Sequence, residues 1–74
     1  MDIEVSLFGT LRQGRFQRKQ LQLPEGSTVA DACQHLALGP GEVVIRLVNE
    51  VAVARDHVLC SGDAVSLLPA IGGG

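Results

Sequence analysis

Apolar and polar residues alternate with a period of two through Ile3-Glu4-Val5-Ser6-Leu7, which predicts a strand with one buried face. Gly9 to Gly14 reads as a turn carrying Arg12. Phe16 to Leu23 then returns as a second strand, burying Leu21 and Leu23 and showing Arg18, Gln20 and Gln22 to water, so the pair makes a hairpin. After the loop Pro24-Glu25-Gly26-Ser27, either Ser27 or Thr28 can cap a helix whose apolar positions Val29, Ala32, Cys33 and Leu36 follow i, i+3, i+4, i+7. Leu38-Gly39-Pro40-Gly41 ends it, since Gly accepts a left-handed cap and Pro cannot continue a helix. Val43 to Val48 is β-branched and apolar enough for a central strand. Asn49-Glu50 turns the chain into a short strand, Val51-Ala52-Val53-Ala54. Glu50 lacks the freedom of Gly at positive φ, which predicts a looser connection than Asn-Gly would give. Arg55 to Ser61 is irregular, Gly62-Asp63 punctuates, and Ala64 to Leu68 is the last strand before Pro69 ends the ladder.

The order strand, strand, helix, strand, strand, strand predicts an α+β chain with one helix across a mixed sheet of four to five strands. The crossover through the helix is long enough to return the chain parallel, so the last strand inserts beside the first. This is the ubiquitin-like β-grasp arrangement, a domain over residues 1–69 followed by a flexible Gly-rich tail over 70–74. Strand parity turns Ile3, Val5, Leu7, Val65 and Leu67 toward the helix. It does the same for Val43, Ile45 and Leu47, leaving Phe8, Leu68, Val44, Arg46 and Val48 outside. Phe8, Leu68 and Val44 should then form one apolar patch where the tail leaves the sheet, with Arg12 nearby.

Seventy-four residues make one core and no roomy internal pocket, so function belongs to the surface or a terminus. A content of 46% hydrophobic and 19% charged residues describes a chain that folds. With net charge −2 and two Phe as its only aromatics, it lacks both the basic footprint and the stacking platform of a nucleic-acid binder. No apolar run approaches a membrane span and Met1-Asp2-Ile3-Glu4 does not resemble a signal peptide, which leads us to expect a cytoplasmic protein with Cys33 and Cys60 as free thiols.

Catalytic constellations are nearly absent. Cys33 and His35 point to different faces of the helix, and Cys60 with His57 lacks a third ligand or orienting acid, so no metal or nucleophile site is expected. Four of the six basic residues, Arg12, Arg15, Arg18 and Lys19, cluster in and after the first turn; they either keep an edge strand solvated or dock an acidic partner. The tail is different. Gly72, Gly73 and Gly74 cannot stabilise a fold, yet a tail without Cβ atoms threads a narrow slot and presents its carboxyl group unhindered.

The sequence resembles the MoaD/ThiS family of ubiquitin-like sulfur carriers along its whole length. The resemblance rests on Phe8-Gly9-Thr10-Leu11-Arg12, Leu23-Pro24-Glu25-Gly26-Ser27-Thr28-Val29, Val48-Asn49, Leu59-Cys60-Ser61-Gly62-Asp63-Ala64-Val65 and Leu68-Pro69-Ala70-Ile71-Gly72-Gly73-Gly74. It implies that the Gly74 carboxylate is adenylated by a ubiquitin-activating-type adenylyltransferase, which uses ATP, and converted to a thiocarboxylate. The sulfur then passes to a sulfur-acceptor synthase subunit. The chain itself would bind no cofactor and act as a protein cosubstrate, with Phe8, Arg12, Val44, Leu68 and Ile71 meeting the partner. The spacing of Phe8 and Arg12 resembles the molybdopterin-type carriers, although Gln13 and Ala70 replace an acid and a second proline common there. The thiamine-type carriers, and a protein modifier whose carboxyl group forms an isopeptide, are the alternatives.

Overall fold

The computed structural model describes residues 1–39 and 41–70. Five strands, β1 (Asp2–Leu7), β2 (Arg18–Gln22), β3 (Ile45–Val48), β4 (Val51–Ala52) and β5 (Ala64–Leu68), form one sheet in the order β2-β1-β5-β3-β4. Among the described residues the single α-helix, α1, spans Val29–His35. β1 and β5 run parallel, with Val5 opposite Val65 and Leu7 opposite Leu67, while the other neighbours are antiparallel. The predicted mixed sheet and inserted last strand are thus the observed β-grasp topology.

The covered face of the sheet carries Ile3, Val5, Leu7, Val65 and Leu67, all nearly solvent-free, and α1 closes over them with Val29 and Ala32. Of the buried leucines outside the strands and α1, two were not foreseen as core. Leu11 enters the core from a 3-10 turn, Gly9–Arg12, where the sequence suggested only a turn, and Leu59 does so from the irregular segment before β5.

Thr28 begins the helix with a reciprocal capping box. The Asp31 N–H donates to Thr28 Oγ1 at 3.2 Å, and the Thr28 N–H donates to Asp31 Oδ2 at 2.9 Å. The helix stops earlier than the Gly39-Pro40-Gly41 signal suggested. Ala37 takes the left-handed position at φ 58°, the Leu38 N–H donates to Cys33 O at 2.9 Å, and the Ala37 N–H donates to Gln34 O at 3.0 Å. These bonds form a Schellman cap with Ala in the place Gly usually holds. The expectation of a loose β3–β4 connection is also corrected. Asn49 and Glu50 both adopt positive φ, 51° and 70°, and close a two-residue turn between the paired Val48 and Val51.

The strand parity of β3 is the principal correction. Arg46 stands opposite Leu67 and Val48 opposite Val65, so both face the helix side, while Ile45 and Leu47 stand opposite Leu68 and Ser66 on the open face. Val43 is buried and Val44 is exposed, as parity predicted, but alternation breaks where β3 begins at Ile45.

Candidate functional site

β5 ends at Leu68, and the residues expected to serve the tail gather at that end of the sheet. The Phe8 N–H donates to Leu67 O at 3.2 Å and the Val44 N–H donates to Leu68 O at 2.9 Å, so β1 and the segment before β3 flank the strand end. Phe8 keeps extended backbone angles and is 37% exposed; Val44 is 51% exposed. Sequence parity missed Ile45 and Leu47, which the shifted alternation places beside Leu68 on the open face. Because β3 is apolar at both parities, the sequence held no signal for that shift.

Arg12 is fixed against this patch. Its Nε–H donates to Leu7 O at 2.7 Å, and its guanidinium carbon lies 5.4 Å from the Phe8 ring centroid. Such a contact is worth about 0.5–1 kcal/mol at an exposed site, and it holds a positive charge over an aromatic face without spending it on an acid. A small hollow beside it is lined by Ser6, Leu7, Phe8, Arg12, Gln17 and Arg18. Of the basic cluster, Arg15 turns away toward Glu42, at 4.0 Å, and Lys19 lies over Phe16. Gly9, at φ 57°, brings the chain against Pro69; a Cβ there would stand 3.0 Å from the proline ring. This contact fastens the start of the 3-10 turn to the point where the tail begins. Ile71, Gly72, Gly73 and Gly74 lie outside the described residues.

The other candidate residues do not form a site. Cys33 is half-buried and Cys60 exposed, both as free thiols. Burial pushes the Cys33 thiol up from its ordinary value, with the nearby Arg46 charge opposing. Among the described residues no three of His, Cys, Asp and Glu group closely enough to hold a metal ion, and no helix is long and apolar enough to cross a membrane. The arrangement at the end of β5 is an exposed apolar surface with a cation, Arg12, held over it.

The ThiS family model matches residues 5–74. The putative molybdopterin converting factor subunit 1 from Pyrococcus furiosus is 26% identical, with a TM-score of 0.78 over 96% of this chain and 99% of that one. SAMP1 from Haloferax volcanii is 24% identical, with a TM-score of 0.79 over 100% of both chains. The structure of subunits 1 and 2 of the molybdopterin-converting factor from Helicobacter pylori 26695, a protein–protein complex, is matched at 22% identity and a TM-score of 0.68 over 100% of both chains. At those identities the last two show the β-grasp fold alone. No curated protein sequence matches significantly. The family match runs through the glycine tail, and the chain belongs to the ThiS family of ubiquitin-like sulfur carriers.

Proposed function

We propose that this protein is a sulfur carrier whose Gly74 carboxylate becomes a thiocarboxylate that supplies sulfur for molybdopterin synthesis. The observation that carries the reading is the family match extending through residue 74. The likeness to a putative molybdopterin converting factor subunit favours that branch over thiazole synthesis for thiamine.

A carboxylate is a poor electrophile. An oxygen of Gly74 attacks the α-phosphorus of ATP on a partner adenylyltransferase, pyrophosphate leaves, and the resulting acyl adenylate is open to a sulfur nucleophile that displaces AMP. Three glycines leave no side chain to obstruct either attack. The folded body performs none of these steps. Phe8, Arg12, Val44 and Leu68, with Ile71 in the tail, supply binding energy remote from the reacting carbon and fix its position, as remote contacts do in catalysis generally. An exposed apolar cluster with an aromatic anchor and an arginine has the composition of a protein-docking surface. The partners in this reading are the adenylyltransferase and a sulfur-accepting synthase subunit.

The test is the intact mass of the protein isolated from its native host. A species about 16 Da heavier, the excess of sulfur over oxygen, is expected. Its sulfur should pass to a molybdopterin precursor when the acceptor subunit is added. Isopeptide conjugates without that species would overturn the carrier reading in favour of a modifier, and transfer only to a thiazole synthase would overturn the branch.

A further inference from the structure

Away from the tail root, a cavity of about 350 Å³ opens between α1, the start of β3 and Arg55 beyond β4. Ala30, Cys33 and Gln34 supply one wall from successive turns of the helix, and Leu38 and Val43 contribute apolar surface. Arg46 and Arg55 also line it, and no Asp or Glu does. The Asp31 carboxylate is engaged in the capping box, and the Glu42 carboxylate, at the cavity rim where it accepts from the Gly39 N–H, is paired with Arg15 at 4.0 Å. Asp56 is exposed beside Arg55, and among the described residues neither cavity arginine has an acidic partner within 4.0 Å.

Folding gives no reason for an arginine at position 46. It stands opposite Leu67 on the covered face, where an aliphatic side chain would pack, and its Nη2 reaches only Val43 O at 3.4 Å. Arg46 is half-buried as a whole, lines the open cavity, and among the described residues has no acidic partner there to neutralise its charge. Arg55 is held in place by its backbone, since the Ala30 N–H donates to Arg55 O at 2.8 Å and ties this segment to the first turn of α1. Burial keeps the Cys33 thiol protonated, so it adds no negative charge to offset the two cations.

We propose that this cavity binds a small organic phosphate monoester, its phosphate between the Arg46 and Arg55 guanidinium groups and its apolar body against Leu38 and Val43. A monoester carries about −1.5 to −2 charge at neutral pH, which answers two guanidinium groups better than a single carboxylate does. Arginine also pairs two phosphate oxygens at once. The volume falls at the low end of the ~300–1,000 Å³ common for ligand sites, which suits a body of one ring rather than a dinucleotide. No step at Gly74 is involved, so the site stands apart from the carrier reading.

The experiment is a titration of the ¹⁵N-labelled full chain with phenyl phosphate at constant ionic strength, with inorganic phosphate and benzoate in parallel. Phenyl phosphate should give saturable shifts at the amides of Ala30, Cys33, Gln34, Gly39 and Arg46, and should bind more tightly than either comparison anion. Arg46→Gln and Arg55→Gln should each weaken binding roughly tenfold or more, whereas Arg18→Gln should leave it unchanged. Shifts that never saturate, shifts centred on Arg12 and Arg15, or equal affinity for benzoate or inorganic phosphate would overturn the proposal. Should Arg46→Gln fail to fold, Arg55→Gln on its exposed segment decides the matter, and unchanged affinity there overturns it equally.

Discussion

Asn49 and Glu50 share one turn and one backbone region, yet replacing each by glycine should move stability in opposite directions. Both have positive φ, where an L residue pays roughly 1–2 kcal/mol. Glu50 makes no side-chain hydrogen bond or ion pair among the described residues, so Glu50→Gly relieves that strain and loses only about 0.5–1 kcal/mol to the added freedom of the unfolded chain. The net gain is about 0.5–1 kcal/mol, which raises the melting temperature by roughly 2–8 °C in a domain of this size. Asn49 tolerates the left-handed region better, and its side chain is committed. Its Nδ2 donates to Asp63 Oδ1 at 3.0 Å, and its Oδ1 accepts from the Ala64 N–H at 3.0 Å. Both bonds are solvent-exposed and so fall toward the lower end of the usual range, about 0.5–1 kcal/mol each. Asn49→Gly should therefore cost about 1 kcal/mol net and lower the melting temperature by roughly 4–8 °C. Differential scanning calorimetry of the two variants beside the parent chain measures both signs. A fall for Glu50→Gly, or a rise for Asn49→Gly, would refute the assignment of strain to one residue and anchoring to the other.

At the helix end, Ala37→Gly should stabilise by about 0.5–1 kcal/mol in urea melts, because the Schellman position is left-handed and the cap bonds are backbone bonds that glycine retains. Phe8→Ala and Leu68→Ala should each weaken affinity for the activating enzyme by ~1–3 kcal/mol in calorimetric titrations, with melting temperature nearly unchanged; unfolding by both, with affinity of the folded fraction intact, would make the patch core. Removal of Gly73 and Gly74 should leave thermal stability alone and abolish ATP-dependent adenylation, so retained adenylation would falsify the carrier reading. Burial raises the Cys33 thiol above its ordinary value of 9.0, so the folded chain holds that proton more tightly than the unfolded one. Its contribution is complete below pH 9 and declines as pH rises through the folded value; Cys33→Ala should remove that alkaline slope from denaturant midpoints.

The order of elements was legible because each carried a local signal. A period-two run marked β1, Gly62-Asp63 and Pro69 bracketed β5, helical spacing marked α1, and Thr28 with Asp31 supplied the cap at the predicted start. The β-grasp topology followed from the crossover length, and the exposed positions of Phe8 and Val44 followed from parity. What escaped the sequence was conformation imposed by tertiary closure. Glycines at 39 and 41 advertise a helix stop, but the chain turns at Ala37, where Leu38 can drop into the core. Leu59 offers no periodicity at all; the Leu59 N–H donates to Ser27 O at 2.8 Å, a contact fixed only once the helix entrance lies against that segment.

The parity of β3 connects these misses to function. Val43-Val44-Ile45-Arg46-Leu47-Val48 contains apolar residues at both parities, so hydrophobic alternation alone permits either face to be buried, and the polar Arg46 suggests the wrong one. Pairing with β5 decides otherwise: Val48 meets Val65 on the covered face, and the break before Ile45 lets Val43 remain buried as well. That one irregularity has two consequences. Ile45 and Leu47 emerge on the open face beside Leu68, enlarging the apolar surface at the root of the tail, while Arg46 turns inward to line the cavity against α1. A substitution that restored regular alternation would have to exchange both surfaces together. Arg46 faces the cavity and not the root of the tail, so in one preparation Arg46→Gln should weaken anion binding and leave adenylation of the tail unchanged.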